Sequence, residues 1–129
     1  MVKKQKMFRV LNSVNYSNCL NSLKIFDGIA TIDNIKPDYK EISSIIHKYD
    51  GYLSSLNVKI DENILSKAKK LLVIGTPSTG TDHIDVKYAS NIGIKCFSIA
   101  KEYNLIKKFT ATSELAFALL LTLNRDLIN

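Results

Sequence analysis

An α/β domain with a parallel five-stranded sheet is predicted by three features of this 129-residue sequence. Short apolar runs alternate with stretches whose apolar residues recur at helical spacing. Leu71-Leu72-Val73-Ile74 is apolar without interruption, the pattern of a strand covered on both faces. Asp27-Gly28, Asp50-Gly51 and Gly93 separate the segments as turn signals. Strands joined by right-handed crossovers at this spacing suit the flavodoxin-like, doubly wound arrangement, order 2-1-3-4-5. A long apolar helix follows near the C-terminus.

The elements follow in order. Residues 7–11 read as the first strand. Cys19, Leu20, Leu23 and Phe26 share one side of a helix over 16–26, and residues 29–32 are a short β-branched strand. Pro37 stands at a helix start, with Ile42, Ile45, Ile46 and Tyr49 along one face. Residues 52–56 form the third strand. Asp61 caps a short helix with Ile64, Leu65 and Ala68 on its apolar side. Residues 71–74 are the fourth strand. Asp82 and Asp85 suit the N-terminus of a helix running to about Ile92, and residues 94–99 are the fifth strand. Residues 115–121, with Leu123 beyond, are apolar on every side of a helix, which requires burial all round. That helix is too short to span a bilayer.

Composition excludes several classes. The hydrophobic fraction is 46% and the charged fraction 23%, values of a globular chain. No apolar run approaches the ~18 residues of a membrane span, and the basic first seven residues lack the apolar core of a secretory signal. Cys19 and Cys96 are the only cysteines, without zinc-ligand spacing, so free thiols, a cytoplasmic location and no metal are expected. The net charge of +6 comes almost wholly from scattered lysines, Arg9 and Arg125 being the only arginines. Arginine is the usual reader of phosphates and bases, so no nucleic-acid partner is expected.

The loop Gly75-Thr76-Pro77-Ser78-Thr79-Gly80-Thr81-Asp82 follows the fourth strand, at the sheet edge where ligands gather. Gly75 and Gly80 have the spacing of a nucleotide phosphate loop, but Thr81-Asp82 stands where Lys-Ser/Thr is required. A flavin phosphate loop would follow the first strand instead. Two readings remain: a turn whose backbone amides face a small carboxylate, or an ordinary strand-to-helix turn. His47 reads as a surface residue. Asp61-Glu62 and the Asp82/Asp85 pair read as helix-start charges. No serine has a visible base partner, so nucleophilic catalysis has no support.

The segments "LLVIGTPSTGTDHIDVKYASNIGIKCFSI" and "TATSELAFALLLTLNRDL" together resemble the D-isomer-specific 2-hydroxyacid dehydrogenases, the family that includes the 3-phosphoglycerate dehydrogenases. The resemblance rests on the order of an apolar strand, a Thr-Gly loop, Asp-His-Ile-Asp, a Gly-Ile strand, and Thr-x-x-Glu-Leu opening a leucine-rich helix. It implies a substrate domain over 1–109 and an interdomain helix over 110–129. It also implies a small 2-hydroxy or 2-oxo acid as substrate, with Ser78, Thr79 and Gly80 at its carboxylate. Ser54 and Ser55, with Leu56, would line the pocket, and Thr79 would also touch NAD. Many relatives carry an arginine near Ser55; this sequence does not. His83 and Asp85 would anchor the helix to the sheet.

The family's catalytic arginine and His–Glu pair lie in later sequence, and these 129 residues contain no Gly-x-Gly-x-x-Gly. The expectation is the N-terminal part of an NAD-dependent oxidoreductase acting on the CH–OH group of a D-2-hydroxy acid, 3-phosphoglycerate among the candidates. It holds no catalytic residue, is inactive alone, and binds NAD at most weakly. A dinucleotide-binding domain, or a second copy in a homodimer, would pack on Leu115, Leu123 and the leucines between them. The alternative is a non-catalytic module that binds a small carboxylate or self-associates.

Overall fold

Residues 7–16 and 20–125 are described by a computed structural model, the side chains of residues 20 and 123–125 excepted. The strands are β1 (Phe8–Asn12), β2 (Ala30–Asn34), β3 (Gly51–Leu53), β4 (Val73–Thr76) and β5 (Lys95–Ser98). All pair in parallel in the order β2-β1-β3-β4-β5, as the alternating pattern predicts.

Register explains which residues make the core. Leu11 lies beside Tyr52, Tyr52 beside Ile74, and Ile74 beside Cys96, so these four share one face of the sheet. Leu11, Tyr52 and Ile74 are buried, packed with Ile42, Ile46, Ile60, Ile64, Leu65, Ile84, Ala89 and Ile94. On the opposite face Phe8 and Phe97 stay exposed, and Leu72 just before β4 is 55% exposed. The expectation that the 71–74 run is covered on both faces is therefore corrected. Its apolar character reflects Leu71 and Ile74 in the core, while Val73 is only half-buried.

The helices start where a side chain satisfies their free amides. Asp38 accepts from the Glu41 amide at 2.8 Å and opens α1 (Tyr39–Ile45), so Pro37 precedes the helix rather than starting it. Asp61 accepts from the Ile64 amide at 3.2 Å at the head of α2 (Glu62–Leu65). Asp85 accepts from the Tyr88 amide at 2.9 Å and opens α3 (Val86–Asn91), which leaves Asp82 in the preceding turn. Gly93, at φ +83°, ends α3: its amide donates to Ser90 and the Ile94 amide to the Ala89 carbonyl, at 3.1 and 2.8 Å. The segment before β2 is a 3-10 helix, Leu20–Phe26, shorter than the helix expected over 16–26; Cys19 lies outside the described residues.

The chain divides into two compact units after Ser98. The second holds a 3-10 turn (Ile99–Lys101), α4 (Tyr103–Ile106) and α5 (Ala111–Arg125). Leu115, Phe117, Leu119, Leu120 and Leu121 of α5 are exposed, and the side chain of Leu123 lies outside the described set. Among the described residues no helix is long and apolar enough to cross a membrane.

Candidate functional site

The loops after β3 and β4 leave the sheet side by side, at the carboxyl edge where parallel sheets hold ligands. Leu53 pairs with Gly75, and the Ser54 amide donates to the Gly75 carbonyl at 2.8 Å. The loops meet again at their far ends. There the Ile60 amide donates to the His83 carbonyl at 2.7 Å, and the Asp85 amide returns to the Ile60 carbonyl at 2.9 Å. This short parallel bridge between Ile60 and Ile84 fixes both loops as one frame.

Within that frame the five candidate residues differ in what they can offer. Ser54 is fully buried and its hydroxyl donates to the Ser55 carbonyl at 3.3 Å. Ser55 is half-buried; its amide donates to Ser13 Oγ at 3.1 Å and its own Oγ accepts from the Asn57 amide at 3.2 Å. Ser78 is half-buried, and its Oγ accepts from the Gly80 amide at 3.1 Å. Thr79 and Gly80 are exposed. Thr79 makes no hydrogen bond among the described residues, so its amide and hydroxyl are the donors open to a small anion. Gly80 lacks a positive φ, and its amide becomes available only if Ser78 releases it.

Two buried polar atoms adjoin this frame without a partner among the described residues: Thr76 Oγ1, where β4 ends, and His83 Nε2 in the following turn. Burial lowers the His83 pKa below the ordinary histidine value, opposed by the charge of Asp82. The ring is thereby held toward its neutral form.

Ser13 adjoins this frame, and nothing in the sequence marks it. In sequence, Leu11, Asn12 and Ser13 stand out only for lacking the acidic cluster of a phosphoacceptor, and a lone serine after a strand carries no further signal. Yet it is 4% exposed and its hydroxyl meets three groups from β3 and the loop after it. It also lines a cavity of ≈ 360 Å³ at the carboxyl ends of β1 and β2, together with Asn12, Tyr16, Asn34 and Lys36 among others.

Several of the backbone amides here that could face a dinucleotide pyrophosphate are occupied. The N-terminus of α3, the natural seat for a pyrophosphate, is filled by the Asp85 carboxylate. The Ser55 and Gly80 amides are taken by Ser13 and Ser78. Arg9, the arginine whose side chain is described, pairs with Asp33 at 2.7 Å near the other end of β1. What remains open is the amide and hydroxyl of Thr79.

Comparison with known proteins gives this geometry a family. The family model for the D-isomer specific 2-hydroxyacid dehydrogenase catalytic domain matches residues 10–105, which includes both loops. The chain belongs to this family. D-3-phosphoglycerate dehydrogenase of Bacillus subtilis is 27% identical over 121 residues, 94% of this chain and 22% of that protein. The Sus scrofa D-3-phosphoglycerate dehydrogenase is 23% identical over 119 residues, 92% and 21% respectively. The chain thus spans about a fifth of the curated relatives it matches.

Solved structures share the fold. A protein from Thermus thermophilus superposes with a TM-score of 0.74 at 24% identity, covering 93% of this chain and 38% of that one. The Aquifex aeolicus D-lactate dehydrogenase, solved with NAD and lactic acid, gives 0.69 at 24% identity, covering 88% and 33%.

Proposed function

We propose that this 2-hydroxyacid dehydrogenase-family chain forms the substrate-side part of an NAD-dependent oxidoreductase acting on the CH–OH group of a D-2-hydroxy acid, with 3-phosphoglycerate among the candidate substrates. The carrying observation is the closed frame of the two loops, tied by Ser54 to Gly75 at one end and by Ile60 to His83 at the other. In this reading the Thr79 amide and hydroxyl hold the substrate carboxylate. The Gly80 amide joins them by leaving Ser78, Ser55 and Leu56 border the substrate, and Thr79 lies beside an NAD held elsewhere.

The frame supplies orientation, which accelerates a reaction only when the reacting groups are also present. None of its described residues pairs a histidine with a carboxylate in the way that proton transfer requires. The chain alone therefore binds acid without oxidising it. The exposed leucines of α5 fit the same reading, as a surface to be covered by a dinucleotide-binding domain or a second copy.

The test is a titration of the ¹⁵N-labelled chain with D-lactate, D-glycerate and D-3-phosphoglycerate, with an NADH assay alongside. Saturable shifts at Thr79 and Gly80 without NADH formation are expected. A flat titration with all three acids would remove the substrate role, and NADH formation would remove the claim that the chain is inactive alone.

A further inference from the structure

The loop after β3 is bonded to a residue just past the end of a different strand. Ser13 Oγ donates to the Leu53 carbonyl at 3.1 Å, and a hydroxyl has one proton to give. Ser13 Oγ also shares a 2.7 Å hydrogen bond with the Tyr52 phenol and accepts from the Ser55 amide at 3.1 Å. All three hydrogen-bonding positions of Ser13 are used. Burial pushes the Tyr52 phenol above the ordinary tyrosine pKa, so it stays protonated.

The consequence falls on Ser55. Its amide turns back toward β1, away from any guest, and its hydroxyl caps the turn at Asn57. The chain direction at Ser55 and Leu56 is thus set by a side chain at the β1–β3 junction. This is where crossovers leave the sheet in opposite directions and a crevice opens. With serine at position 55, the orientation of the backbone is what the position contributes.

We propose that Ser13 is a positioning residue for the substrate loop at Ser55 and Leu56, acting through the Ser55 amide. The inference rests on the substrate-side reading above and names the residue that gives that site its shape.

The experiment uses the ¹⁵N-labelled 129-residue chain with Ser13→Ala, Ser13→Thr and Tyr52→Phe, and D-3-phosphoglycerate as probe. In the free Ser13→Ala chain the Ser55 amide should shift upfield and exchange faster, while β4 and β5 amides stay as in the parent. Affinity for the probe should fall about three- to tenfold, the loss expected from one hydrogen bond, and Ser13→Thr should restore both readouts. Should Ser13→Ala not fold, Tyr52→Phe keeps the Ser13 hydroxyl, removes its phenol partner, and should give a smaller change of the same sign. An unchanged Ser55 amide, or unchanged affinity beside a parent that binds, would overturn the role of Ser13 and leave the functional reading standing. A parent that binds no acid would overturn the functional reading, and this inference with it.

Discussion

The Ile60 amide donates to the His83 carbonyl at 2.7 Å, across a bridge that joins loops from two different strands. Ile60 is 1% exposed, so the residue that closes the frame is also a core residue. Ile60→Ala removes buried hydrocarbon and leaves a cavity, at a cost of about 2–5 kcal/mol. Urea unfolding should show that loss. Hydrogen exchange should show the Asp85 amide, which bonds back to Ile60, losing protection beyond the global change. Protection at Asp85 that follows global stability alone would mean the bridge is not a separate tie.

Gly80 and Ser78 separate binding from folding. A Cβ at Gly80 would meet Asp82 Oδ2 at 3.4 Å and Ser78 Oγ at 4.0 Å, ordinary contacts, and the backbone has no left-handed strain. Gly80→Ala is therefore expected to unfold within about 0.5 kcal/mol of the parent, while the added methyl crowds the amide that a carboxylate would use. Ser78→Ala should do the reverse for binding, since it frees the Gly80 amide now held at 3.1 Å. Titrations with D-lactate would register weaker binding for the first variant and stronger for the second. The same affinity in both would place the ligand elsewhere.

Gly93 supplies the contrast. Nothing lies within 4 Å of a Cβ there, yet its φ is +83°. Gly93→Ala meets no clash, only the cost of a left-handed backbone, about 1–2 kcal/mol. Thermal unfolding of Gly93→Ala beside Gly80→Ala should show a clear loss in the first and little in the second. Equal losses would contradict the backbone account.

The sheet was legible because periodicity and turn residues report burial. Gly51 and Gly93 mark element ends, and Asp61 and Asp85 cap the helices they were expected to begin. Strand edges were less legible. Leu71 and Leu72 look alike in sequence, but one enters the core and the other is 55% exposed, and only register decides between them. The loops could be located, since a Thr-Gly turn after a parallel strand sits at the ligand edge. Their internal bonding could not. Ser13 and Ser55 lie 42 residues apart and meet only because β1 and β3 are neighbours. Likewise the sequence offers both Ser78 and Gly80 to a ligand, and only the folded loop shows the Gly80 amide donating to Ser78 Oγ.

Asp33 gives the fold a signature in acid. Its carboxylate accepts from Arg9 at 2.7 Å and from the Tyr49 phenol at 2.8 Å, and Arg9 stacks 4.9 Å from the centre of the Tyr49 ring. The hydrogen bond from Arg9, then that from Tyr49, holds the Asp33 pKa below its ordinary value. A carboxylate that keeps its charge to lower pH when folded adds stability in full above its unfolded pKa of about 3.9. That contribution disappears as pH falls through the lower folded value. Asp33→Asn should therefore be slightly less stable than the parent at neutral pH, the effect small because both partners are about half exposed. The gap in urea midpoints should close in acid, and a gap that widened there would reverse the assigned sign.

The exposed side chains of α5 make a claim about association. Leu115, Phe117, Leu119, Leu120 and Leu121 are each 53% or more exposed, on a helix with Glu114 as the acidic residue of its first turn. Apolar side chains clustered this closely are not left to water without consequence; they attract a partner surface or aggregate. In the absence of another polypeptide the available partner is a second copy of the chain. Sedimentation velocity is expected to show concentration-dependent dimerisation of the parent. Leu119→Lys/Leu120→Lys changes two neighbouring exposed positions to residues of comparable helix propensity, so it should give a monomer with the parent's thermal stability or higher. A parent that remains monomeric at every concentration would assign these leucines to a different polypeptide, and an unstable monomeric variant would show that they serve the chain's own fold.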